Sequence, residues 1–135
     1  MTRTAGHPYD LHPSPWPILR AKAAELSQNS PEHDYLVSVL DSVIESDAAD
    51  QLVGTFWMLD LAVAAAPVRP APIELILVRG SGSVRPPPSG LVRIEHLSVS
   101  GHNDVVDRPP SEALPLFWRF VKEKYGIERW RAGDR

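Results

Sequence analysis

The feature that most constrains this fold is the apolar run "LVGTFWMLDLAVAAA", Leu52 to Ala66, stopped by Pro67. It has about 15 residues and carries Asp60 inside it. A bilayer span takes about 20 predominantly apolar residues with few charges, so the run belongs inside a folded core. Apolar side chains nearly surround its helical wheel, and its alanine-rich end favours helix. The reading is a central third helix over Ala48–Ala66, opened by Asp47 and Asp50 in the pattern of a capping box. Gly54 and the aromatic pair Phe56 and Trp57 support a competing reading, in which "GTFWMLDLAV" is strand.

Two shorter helices precede it. Ser14 is placed as an N-cap with Pro15 in the first helical position. Trp16, Leu19, Ala23 and Leu26 then fall on one stripe, giving a helix to about Gln28. "NSPEHDYLVSVLDSVIES" repeats the signal. Ser30 caps, Pro31 opens, and Glu32 and Asp34 stand where the helix dipole favours acids. Leu36, Val39, Leu40, Val43 and Ile44 form an apolar face, with Asp41, Ser42 and Glu45 outward.

The second half of the chain changes period. "IELILVR" (Ile73–Arg79) and "LVRIEHLSV" (Leu91–Val99) read as strands, and "VVD" (105–107) as a short third. The first two are joined by "GSGSVRPPPSG", an 11-residue connection longer than hairpin loops usually are. Three consecutive prolines make part of it a stiff extended segment. A terminal helix starts between Ser111 and Pro115 and ends at Gly126, which suits a left-handed C-terminal cap. The expected fold class is therefore α+β: about three N-terminal helices, a small antiparallel hairpin or three-stranded sheet, then a C-terminal amphipathic helix.

With 135 residues the chain fits one domain with a self-sufficient core. The organisation expected is a mobile tail over residues 1–13, a domain over 14–128 and a basic tail over 129–135. There is no cysteine, which excludes disulfides, thiolate metal sites and cysteine nucleophiles and suits a cytoplasmic location. The N-terminus has no apolar run of signal-peptide length. A net charge of −3 gives no reason to expect nucleic acid, and no membrane partner is expected. Charge is segregated: Glu25 to Ala66 holds eight acids and no Lys or Arg, whereas Leu116 to Arg135 holds six bases and three acids. The acidic helices and the basic terminus are expected to lie near one another.

The residues richest in chemistry are "HLSVSGHNDVVDRPP". His96, His102, Asp104 and Asp107 crowd into twelve positions. A metal needs two or three such ligands to converge at about 2 Å. Here His96 stands within a strand and His102 follows it, in "SGHND", a run of turn formers. The segment reads as a turn with a partly buried His96. Its alternative is a metal-dependent enzyme or metal-binding protein using His96, His102 and Asp104. "GSGS" at Gly80–Ser83 leads to prolines rather than a helix, so it does not match a dinucleotide fingerprint. Asp60 must be paired, hydrogen-bonded or protonated if buried; Arg79, Arg93 and Arg119 are the candidate partners.

On the terminal helix Leu114, Phe117, Trp118, Val121 and Tyr125 form one stripe, and Leu116 and Phe120 fall off it. Either the helix lies deep between elements, or these two residues contact another chain. Aromatics and Arg are enriched in interface centres, so the candidate protein interface is Leu116, Phe120, Lys124, Trp130 and Arg131. No catalytic motif is present. The function expected is a small non-enzymatic protein-binding domain, of adaptor or immunity type, or one that self-associates as a homodimer, with no cofactor.

Overall fold

The computed structural model describes residues 10–131. Helix α1 spans Trp16–Asn29 and α2 Asp34–Glu45. Strands follow at β1 Leu52–Trp57, β2 Asp60–Ala65, β3 Leu75–Arg79, β4 Val92–Leu97 and β5 Asp104–Arg108, and helix α3 spans Ala113–Tyr125. The strands form one antiparallel sheet in the order β1-β2-β3-β4-β5. The α+β class is as expected, but two helices precede the sheet rather than three, and the sheet has five strands rather than two or three.

The discrepancy lies in the apolar run. Leu52–Ala65 is a hairpin, with Leu52 opposite Ala65 and Trp57 opposite Asp60. Its alternation shows once the turn at Met58–Leu59 is placed. Leu52, Phe56, Leu61, Val63 and Ala65 belong to one core, and Val53, Trp57, Ala62 and Ala64 to another. Both faces of the hairpin are covered, so the run lacks polar punctuation and resembles a buried helix. Alanine at 62 and 64 suits a covered strand that lies close to its neighbours. Met58 turns the chain with φ +57°, a region usually given to glycine, asparagine or aspartate.

The main core lies between the helices and one sheet face. It joins Leu36, Val39, Leu40 and Val43 of α2 to Leu61, Val63, Ile76, Val78, Val92 and Ile94 of the sheet, and to Phe117 and Val121 of α3. Ser42, expected outward, is buried between helices: its hydroxyl accepts the Trp118 Nε1–H at 2.8 Å and donates to the Val39 carbonyl. Ile44, expected inward, is exposed. Gly126 ends α3 with φ +68°, as its position implied. Neither Ser14 nor Ser30 caps by its side chain: Pro15 holds the N-cap of α1, and a short 3-10 turn at Pro31–His33 precedes α2.

A second, smaller core covers the other sheet face, where Leu11 packs with Ala62, Ala64, Ile73, Leu75 and Leu77. Within the segment expected to be a tail, Leu11 is thus buried, and Asp10 accepts a hydrogen bond from the Ala71 amide; residues 1–9 lie outside the described residues. At the other terminus the Asp47 amide donates to the Arg129 carbonyl, and the Arg131 amide donates to the Asp47 carboxylate. The basic terminus therefore meets the acidic α2–β1 connection at Asp47, through its own backbone groups. No helix among the described residues is long and apolar enough to cross a membrane.

Candidate functional site

The His-rich segment forms a strand, a turn and an edge strand. His96 is buried on β4, its Nε2 2.9 Å from Glu74 Oε1 and its ring edge-on to Tyr125. The Tyr125 hydroxyl lies 3.0 Å from the Val63 carbonyl oxygen, and burial pushes its phenol up. His102 is exposed in the turn, where the Ser98 amide donates to Asn103 Oδ1 at 2.8 Å and Gly101 takes φ +88°. Asp104 lies opposite His96 in the ladder but is engaged by Lys124, which holds its carboxyl below the usual range. Asp107 pairs with Arg93 at 2.8 Å. His102 therefore does not join His96. Among the described residues no group of three or more His, Cys, Asp or Glu is placed to hold a metal ion.

The terminal-helix set divides by burial. Leu116 is 8% exposed and Phe120 3%, both within the main core of this same chain. The helix lies deep between α2 and the sheet, the first of the two arrangements expected for it. Lys124 and Trp130 are half-buried and Arg131 is exposed. The Arg129 guanidinium stacks over Trp130 and Trp118, with its carbon 4.8 Å and 5.6 Å from the two ring centroids.

A polar row crosses the sheet face opposite the helices. Trp57 faces Asp60 across β1–β2, Arg79 faces Arg93 across β3–β4, and Arg93 faces Asp107 across β4–β5. Asp60 Oδ2 accepts from Arg79 Nη1 at 2.9 Å, which selects Arg79 from the three expected partners. Arg79 Nε lies 3.3 Å from Glu95. Two guanidiniums side by side repel; Asp60, Glu95 and Asp107 offset them. Burial pushes the Asp60 carboxyl up, partly opposed by the Ser83 hydroxyl and by Arg79. Its Oδ1 is buried and finds no hydrogen-bond partner among the described residues.

Beside this row is a cavity of about 440 Å³, lined by Trp57, Met58, Asp60, Leu77, Arg79, Val84 and Arg85. Met58 and Val84 are 72% and 69% exposed. The Gly80–Ser83 segment turns tightly, its Ser83 amide donating to the Gly80 carbonyl, and opens no helix. Sequence reading identified Asp60 but missed Arg85, Val84, Glu95 and the row. Period two marks only β4, where Arg93 and Glu95 flank Ile94; Arg79 ends a continuous apolar run and Asp107 follows two valines, so alternation does not reveal the row.

The two sheet edges differ. On β1 the Gly54 carbonyl accepts the Ser14 amide, so the incoming chain covers part of that edge. On β5, the last strand of the sheet, a side chain satisfies one backbone group: Arg108 Nη1 donates to the Asp107 carbonyl at 2.9 Å. Val105 there is 48% exposed. Comparison with protein-family models, curated proteins and solved structures finds no match to this chain.

Proposed function

We propose that this chain is a non-enzymatic protein-binding domain that associates with a second copy of itself by pairing β5 with β5. The observation that carries the reading is the β5 edge, whose sequence "DVVDR" is complementary to itself when antiparallel. Centred on Val106, the pairing sets Asp104 of each copy opposite Arg108 of the other and Val105 opposite Asp107. Opposite charges on facing positions favour a register, and strand addition at a free edge is an established binding mode. Two prolines follow β5 at once and confine the paired segment to five residues.

That length sets the strength. A handful of backbone hydrogen bonds, each worth about 1 kcal/mol net, must overcome an association cost of at least about 4 kcal/mol. The net gain is at most a few kcal/mol, so the dimer is weak, with a dissociation constant of roughly millimolar or weaker.

The test is the concentration dependence of self-association of the full chain at low salt, followed by small-angle scattering into the millimolar range. Reversible dimerisation is expected, weakened about tenfold by Arg108→Asp and restored by Asp104→Lys together with Arg108→Asp. A monomer throughout, or a dimer indifferent to Arg108→Asp, rejects the reading.

A further inference from the structure

We propose that the cavity between the β1–β2 turn and the β3–β4 connection binds a planar aromatic acid that carries an N–H or O–H donor. Each part of that description answers a group lining the cavity. Asp60 brings a nearly buried carboxylate, its side chain 9% exposed, with Oδ2 on Arg79, the Ser83 hydroxyl beside the group, and Oδ1 without a well-formed hydrogen bond among the described residues. A buried acceptor short of a donor is costly, and a ligand N–H or O–H placed there offsets that cost.

Trp57, Met58, Leu77 and Val84 supply the apolar lining. Leu77 is buried, while Met58 and Val84 stand exposed at the margin; a flat ring placed among them removes both from water and meets the Met58 sulfur. Arg85 also lines the cavity. It is exposed and makes no ion pair among the described residues, whereas Arg79 and Arg93 are both held by carboxylates. A carboxylate or sulfonate on the ligand meets Arg85 with the fork geometry a guanidinium provides. The volume is within the range of pockets that enclose small organic ligands.

Anilinonaphthalenesulfonate combines a fused aromatic body, one N–H donor and one anionic group, and is the probe. The folded full-length chain is titrated and dye fluorescence is followed. Saturable binding of one dye per chain is expected, weakened about tenfold by Arg85→Ala and several-fold by Val84→Glu. Both positions are exposed, so folding is preserved, and far-UV circular dichroism checks it. Asp60→Asn, which turns a charged acceptor into a neutral one, is expected to weaken binding several-fold. Trp57→Phe should reduce energy transfer from protein to dye. Absence of saturable binding, or an affinity unchanged in Arg85→Ala and Val84→Glu, overturns the proposal.

Discussion

The Trp16 indole occupies the space that a Cβ on Gly54 would need: that atom would lie 2.8 Å from Cη2 and Cζ3 of the ring. The ring is held at its other end by a hydrogen bond from Nε1 to the Ala49 carbonyl at 3.1 Å. Helix α1 is thus docked on β1 by one aromatic that requires glycine beneath it. Gly54→Ala forces a rigid ring to shift, and overpacking of this kind costs about 1–3 kcal/mol. Urea denaturation should show that loss. A change below about 0.5 kcal/mol would mean that the ring moves freely.

Met58 makes the hairpin turn in the left-handed region with its side chain largely in water. A non-glycine residue there carries strain of about 1 kcal/mol or more, and little burial is lost on truncation. Met58→Gly is therefore expected to raise stability by about 0.5–1 kcal/mol, read as a higher urea midpoint at unchanged slope. A lower midpoint would show that Met58 contributes contacts that outweigh the strain.

The same turn explains why two of the five strands were illegible. Two-residue hairpins announce themselves through Asn-Gly or Asp-Gly, and Met58-Leu59 offers neither. Without the turn, two six-residue strands merge into one apolar run of helical length. Strands β3 and β4 were legible because prolines and glycines bound them, and β5 because "GHND" precedes it. Helix α2 was legible from its stripe, although its periodicity assigned Ser42 to solvent; a partner on α3 brings that hydroxyl inside. The polar row was not legible because it depends on pairing register, which joins residues as far apart as Trp57 and Asp107. Asp60 alone stood out, since a carboxylate in an apolar run demands a partner.

The Ser42–Trp118 bond ties α2 to α3 within the core. Ser42→Ala leaves the buried Trp118 N–H without an acceptor, a loss of about 1–3 kcal/mol. Trp118→Phe in the Ser42→Ala background removes the orphaned donor, so the second substitution should cost less there than in the wild type. A double-mutant cycle on urea midpoints measures the coupling; strict additivity would show that the bond contributes nothing.

His102 separates a turn from a site. It is exposed, and its amide donates a long hydrogen bond, 3.4 Å, to Ser100 Oγ. His102→Ala is expected to change stability by less than about 0.5 kcal/mol and to leave zinc affinity no different from that of the unaltered chain by calorimetry. Zinc binding abolished by the substitution would restore the metal reading of the His96–Asp104 segment.

Asp60 gives the polar row a pH signature whose sign follows from burial. Its carboxyl is raised above 3.8, with desolvation the largest cause. A raised acid holds its proton longer in the folded state than in the unfolded one. Between the unfolded and folded pKa the folded state therefore binds more protons, and stability falls as pH rises. The contribution is most favourable below about pH 4 and flattens once pH exceeds the raised value. Other carboxylates, such as Asp104 beside Lys124, shift the opposite way, so total stability obscures the effect. The difference between the wild type and Asp60→Asn isolates it. Measured by urea denaturation from pH 3.5 upward, that difference should fall as pH rises and then level off. A difference that grows with pH would mean that Arg79, not burial, governs the carboxyl.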